Sequence, residues 1–115
     1  MSEYLVLIYA DEQAPASAED QQQMHKGHME FGQNNGPSLR GGNALHRTET
    51  ATSIRPDGSG GFSVTDGAFA ETKEALGGYY LIEAADLDAA VAVAKQVPMA
   101  NGGVEVRPIR VIDFS

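Results

Sequence analysis

One imidazole and one carboxylate are the side chains of this chain best suited to proton transfer. His28 stands in the segment HMEF, and Asp66 stands in the segment TDGAFAETKE, residues 65–74. Imidazole titrates near neutral pH, and a carboxylate bonded to one ring nitrogen fixes the tautomer and raises the basicity of the ring. We therefore predict a His28–Asp66 pair that moves a proton on a small polar metabolite, as an isomerase or a hydrolytic lyase requires. The alternative is a core-facing His28 whose nitrogens are satisfied by any nearby acceptor.

Three histidines, His25, His28 and His46, are the remaining candidates for metal binding. His25 and His28 are three positions apart, whereas the usual helical metal pair is four apart, and no HExxH pattern is present. The sequence therefore predicts no metal site. The absence of cysteine excludes disulfides and thiolate chemistry.

Charged residues cluster just after Asp66. Glu71 and Lys73 are predicted to line the rim of a ligand pocket, where Lys73 would attract an anionic group. The alternative is a solvated helical turn held by a weak local ion pair.

Composition excludes several classes of partner. The 115 residues carry 16 acidic against 8 basic side chains, a net charge of −8. Nucleic acids and anionic membranes bind through lysine and arginine, so neither is expected as a partner. The N-terminal apolar run is too short for a secretory signal or a membrane span, which predicts a soluble, cytoplasmic protein. The PDGSGG segment, residues 56–61, has hairpin turn chemistry and lacks the lysine of a phosphate loop.

Apolar patterning and capping residues predict eight elements around these candidates. The run at 4–9 is apolar without alternation, which indicates a strand covered on both faces. Ser17 and Asp86 are predicted helix N-caps. The predicted elements are strands at 4–9, 44–48, 79–84 and 104–107, a hairpin over 50–65, helices at 18–33 and 87–97, and one or two helical turns at 70–76 that Gly77-Gly78 would end.

The order of these elements predicts a fold class. Without the inserted hairpin and the short helical turns it is βαββαβ, the ferredoxin-like α+β arrangement. Two helices cover one face of such a sheet, yet strands 4–9 and 79–84 are apolar on both faces. We therefore predict a homodimer in which the bare sheet faces pack together.

The segment TDGAFAETKEALGGYYLIEAADLDAAVAVAKQVP, together with YLVLIYADE, HMEF and VEVRPI, resembles the DGPF branch of the YCII-related domain family. The resemblance covers essentially the whole chain and implies one domain, residues 1–115, with a ferredoxin-like fold in a dimeric α+β barrel. It also places the usual histidine of the family at His28 and implies a His–Asp pair in a cleft. Where the family name has proline this chain has Ala68, which restores an amide donor and loosens the turn that orients Asp66.

Two classes of function follow. The first is an acid–base enzyme in which His28 is base or acid and Asp66 orients it. The second is a non-catalytic ligand-binding or accessory protein, which the resemblance links to sigma-factor and stress regulation. The first requires a cleft in which His28 and Asp66 converge, and the second requires a pocket or surface patch without such a pair.

Overall fold

The computed structural model describes residues 1–69 and 73–113 of this α+β chain. A 3-10 turn spans Thr48–Thr50, and no helix of the described residues is long and apolar enough to cross a membrane. The strands and helices in chain order are β1 Ser2–Ala10, α1 Ala18–Asn34, β2 Leu39–Ala44, β3 Thr52–Pro56, β4 Phe62–Asp66, β5 Ala75–Ala84, α2 Leu87–Ala94 and β6 Gly102–Pro108.

Four strands form one antiparallel sheet in the order β2-β5-β1-β6. This order, with one helix after β1 and one after β5, is consistent with the ferredoxin-like arrangement predicted from the sequence. β1 is one of the two central strands of the sheet, a position that its unbroken apolar run favours. β3 and β4 pair only with each other, as a separate two-stranded sheet.

The hydrophobic core lies between the two helices and one face of the sheet. Alternation along β1 sends Tyr4 and Val6 into this core, while Leu5 and Leu7 point to the opposite face and are only half-buried. The core is formed by Tyr4, Val6, Phe31, Ile82, Ala84, Ala90, Ala94 and Val97.

Capping residues set the starts of both helices, as the sequence predicts. Ser17 accepts a hydrogen bond from the Asp20 amide, and the Asp20 carboxylate accepts one from the Ser17 amide, which completes a capping box. Asp86 accepts from the Ala89 amide at the start of α2. α2 ends at Ala94, three residues before the predicted end.

The strand predicted at 44–48 is wrong in position, because β2 occupies Leu39–Ala44. Gly41 and Gly42 lie inside this strand, and at Gly42 the lack of a side chain permits close packing. A Cβ on Gly42 would lie 2.7 Å from both the Tyr79 carbonyl oxygen and Tyr80 Cδ1. The residue is therefore glycine because the neighbouring strand leaves no space for a side chain.

The helical turns predicted at 70–76 are wrong at their C-terminal end. Ala75 and Leu76 belong to β5, where they pair with Ala10 and Tyr9 of β1. Gly77-Gly78 continue the strand instead of ending a helix, and a register shift between Ile8 and Tyr9 accommodates them. The backbone hydrogen bonds that Ala75 and Leu76 form with β1 outweigh the helical propensity of these residues. Residues 70–72 lie outside the described residues.

Candidate functional site

His28 is positioned on the face of α1 that turns toward the sheet. Met24, His28 and Phe31 are spaced at i, i+4 and i+7, and all three meet the core or the cavity beside it. His28 Nδ1 lies 2.7 Å from the hydroxyl oxygen of Tyr80 on β5, a hydrogen-bond distance. The Phe31 ring packs against the Tyr80 ring with centroids 4.6 Å apart, which holds the phenol under the helix.

A cavity of about 590 Å³ opens beside this hydrogen bond, between α1, the sheet and the loop after α2. We call it the His28 pocket. Its walls are mostly apolar, and none of the described residues that line it is an aspartate, glutamate, lysine or arginine. Glycines on β2 and β5 form part of its lining. The lining residues are Ile8, Tyr9, Ala10, Gln21, Met24, His25, His28, Gly42, Asn43, Ala44, Gly77, Gly78, Tyr79, Tyr80, Pro98, Met99 and Ala100.

Burial shifts the titration of both partners. Desolvation, with a smaller contribution from the nearby charge of His25, lowers the pKa of His28 below its ordinary value of 6.5. Desolvation likewise raises the pKa of the Tyr80 phenol above 10.0. At neutral pH the pair is therefore an uncharged imidazole and a protonated phenol. His28 Nε2 has no hydrogen-bond partner among residues 1–69 and 73–113, so this nitrogen is available to a ligand.

The lowered pKa of His28 predicts how stability depends on pH. Above pH 6.5 His28 is neutral in both the folded and the unfolded chain. As the pH decreases below 6.5, the unfolded chain binds a proton before the folded chain does. The free energy of unfolding therefore decreases with decreasing pH until the pH is below the lower pKa of the folded state. We expect urea unfolding at pH 7.5 and pH 5.0 to show a larger loss of stability for wild type than for His28→Gln, which lacks this titration. An equal loss in both proteins would contradict the lowered pKa.

Asp66 and Lys73 lie together in a different hollow, of about 670 Å³. Asp66 ends β4 and is exposed, and Lys73 is exposed as well. We call this region the acidic hollow because Asp11, Glu12, Glu49 and Asp66 line it. Three of these acids have partners: Asp11 accepts a hydrogen bond from the Gln13 amide, Glu12 accepts hydrogen bonds from the Thr48 amide and hydroxyl, and Glu49 pairs with Arg47.

The structure thus brings together Asp66 and Lys73 but places His28 in the other cavity. No hydrogen bond joins His28 to Asp66 among the described residues, and His28 Nδ1 meets the Tyr80 hydroxyl. The His28–Asp66 pair stays a prediction. Glu71, the fourth predicted site residue, lies outside the described residues. No group of three or more His, Asp or Glu side chains in the described part of the chain is arranged to hold a metal.

Tyr80 is the residue that sequence reasoning missed as the partner of His28. Its tyrosine neighbour Tyr79 faces the other side of the sheet, where its hydroxyl accepts a hydrogen bond from Asn43 Nδ2 at 2.9 Å. The alternation of side chains along the strand could have distinguished Tyr80 from Tyr79 as the partner of His28. Strand alternation places Tyr80 on the same face as Ile82 and Ala84, which are core residues below the helices.

Comparison with known proteins gives two matches. Residues 2–114 match the family model of the YCII-related domain. The chain is also 38% identical, over 118 aligned positions, to "Uncharacterized protein R00369" of Rhizobium meliloti (strain 1021). That alignment covers 92% of this chain and 90% of the relative.

Proposed function

Since this chain belongs to the YCII-related domain family, we propose that its His28 pocket binds a small metabolite and that His28 exchanges a proton with it. The observation that carries this proposal is the 2.7 Å contact between His28 Nδ1 and the Tyr80 hydroxyl. A ring nitrogen fixed by a hydrogen bond leaves the other nitrogen, Nε2, with a defined protonation state and direction. A general base needs both properties.

The base role requires one tautomer. When the Nδ1–H donates to the Tyr80 oxygen, Nε2 carries a free electron pair and can accept a proton from a ligand. The Tyr80 hydroxyl proton is then free to be donated to the same ligand. In the opposite arrangement Tyr80 donates to Nδ1 and Nε2–H is only a hydrogen-bond donor. We propose the first arrangement for the resting protein.

The lining of the pocket narrows the class of ligand. Met24, Pro98 and Met99 give an apolar wall, and within residues 1–69 and 73–113 no lysine, arginine or carboxylate lines the cavity. A neutral imidazole supplies no cation for an anionic group. The ligand that fits is uncharged and largely apolar, with one or two hydrogen-bonding groups that reach His28 and Tyr80.

The tautomer of His28 decides between catalysis and simple binding. We expect ¹⁵N NMR of the imidazole at pH 7.5 to show an unprotonated Nε2 and a protonated Nδ1. In Tyr80→Phe, which keeps the ring and removes the hydroxyl, the ring should move toward the Nε2–H tautomer that free histidine favours. A protonated Nε2 in wild type would contradict the base role and favour the non-catalytic alternative, in which His28 only donates a hydrogen bond.

We propose further that two copies pack through the open faces of their sheets. Leu5, Leu7 and Leu81 lie on the face of the sheet that the helices do not cover. A row of apolar side chains on a central strand supports a partner surface there. Light scattering at micromolar concentration should give twice the mass of one chain, and a monomeric mass would contradict this assembly.

The predicted role of Asp66 depends on such an assembly or on ligand binding. In one chain no hydrogen bond joins His28 to Asp66, and the two residues line different cavities. We therefore propose Tyr80 as the residue that orients His28 within the chain. Asp66 then contributes to proton transfer only if a second copy or a ligand connects the two sites.

A further inference from the structure

β3, β4 and the turn between them form a hairpin, residues 52–66, which we call the arm. Most of its side chains are exposed to solvent. Every residue of β4 is exposed, and in β3 only Ser53 is buried. Ser53 fixes the base of the arm, because its hydroxyl donates to the Gly67 carbonyl oxygen. A two-stranded hairpin is at best marginally stable in water, so an arm of this kind needs a surface to pack against.

One side of the arm is apolar. The pairs Ile54–Val64 and Pro56–Phe62 place these four side chains on the same side of the ribbon. Ile54, Phe62 and Val64 are 57%, 69% and 62% exposed. Apolar side chains in adjacent pairs on one side of a ribbon form a patch, and such patches mark contact surfaces.

The dimensions of the molecule agree with an arm held away from the body. The chain has a radius of gyration of 16.6 Å, whereas a compact chain of this length has about 13 Å. It measures 49 by 48 Å in two directions and only 18 Å in the third. These dimensions agree with β3 and β4 forming a separate two-stranded sheet that projects from the body.

We propose that the apolar side of the arm packs on a second copy of this chain, across the interface of the sheet-to-sheet dimer. The inference rests on the proposed dimer and assigns the arm to it. A second copy is the fitting occupant because a two-fold axis gives each arm an equivalent partner surface. In a symmetric dimer both arms are covered, whereas an unrelated protein bound to one subunit would cover only one arm.

The area agrees with a stable interface. The exposed parts of Ile54, Phe62 and Val64 come to roughly 100 Å² each, or roughly 300 Å² for one arm. The surface that receives the arm loses a similar area, so the two arms bury about 600 Å² per copy, most of the roughly 800 Å² that a specific protein interface buries on each partner. Arg55 points to the opposite side of the ribbon and stacks there on the Phe69 ring at 4.2 Å.

Docking of the arm also assigns a position to Asp66. Asp66 pairs with Thr52, so it lies on the same side of the ribbon as Ile54 and Val64. Any surface that covers the apolar side of the arm meets the Asp66 carboxylate at its edge. Each subunit therefore presents its Asp66 to the other, and the acidic hollow lies beside the interface.

Hydrogen exchange at two concentrations tests the arm directly. We expect amides of residues 52–66 to exchange several-fold more slowly well above the dimer Kd than well below it, while amides in the middle of α1 are unchanged. If the chain dimerises and the exchange of the arm does not depend on concentration, this inference is wrong and the dimer stands. If no dimer forms, the proposed assembly itself is wrong.

Variants give the second measurement. Phe62→Ser combined with Val64→Ser removes two exposed apolar side chains, so the fold should persist by circular dichroism. We expect the dimer Kd from analytical ultracentrifugation to rise at least about tenfold. Met29→Ser is the matched control, because Met29 is an exposed apolar residue of α1 outside the arm. An unchanged Kd in the arm variant would overturn the inference.

Discussion

Phe31→Ala is expected to lower the free energy of unfolding by about 3–5 kcal/mol, the cost of truncating a buried aromatic ring. Phe31 is 2% exposed and packs on the Tyr80 ring, so its removal leaves a cavity in the centre of the core. For a domain of this size the loss corresponds to a fall in Tm of roughly 12–25 °C. Thermal unfolding by circular dichroism measures it.

Met29→Ala is the control for this variant. Met29 is on the same helix, is 54% exposed, and should change stability by no more than about 0.5 kcal/mol. The Phe31 variant should also free the Tyr80 ring, so the Nδ1 contact of His28 should weaken with the core. A loss below about 1 kcal/mol would show that Phe31 does not support the site as described.

Gly42→Ala is expected to destabilise the chain by about 1–3 kcal/mol, the usual cost of overpacking. The new Cβ would lie 2.7 Å from the Tyr79 carbonyl oxygen and from Tyr80 Cδ1, so backbone and ring must both move. Because the Tyr80 ring carries the hydroxyl that meets His28, the pKa of His28 should change in the same variant. Denaturant unfolding and NMR titration measure the two effects.

The neighbouring glycine provides a matched control for that experiment. Gly41 is on the same strand, and a Cβ there would meet nothing within 4 Å. Gly41→Ala should leave stability unchanged or raise it by a few tenths of a kcal/mol, because alanine restricts the unfolded chain. Equal destabilisation by both substitutions would mean that strand geometry, not contact with Tyr80, requires glycine at this edge.

Local signals in the sequence were sufficient for most elements. The unbroken apolar run predicts β1, and Ser17 and Asp86 fix the helix starts because capping depends on residues within one turn. β2 and the start of β5 were not predictable in the same way. Gly42 lies against Tyr79 and Tyr80, and Gly78 lies against the backbone of Asn43 and Ala44, and in each case the neighbours are distant in sequence.

The candidate site shows the same limit. The helical spacing of Met24, His28 and Phe31 predicts that His28 turns inward, and it lines the cavity below α1. Its hydrogen-bond partner is 52 positions away, and the choice of Tyr80 over Asp66 depends on which strand lies under the helix. Residue types identify the histidine, but only the strand order and register identify Tyr80.

The strand order has a consequence for synthesis on the ribosome. β1 pairs with β5 and β6, and β2 pairs with β5, so neither of the first two strands has a neighbour in the sheet until residues 75–84 have emerged. Nascent chains that end before residue 75 therefore expose an apolar strand with both edges open. Folding of the sheet, and with it formation of the His28 pocket, must wait for the last third of the chain.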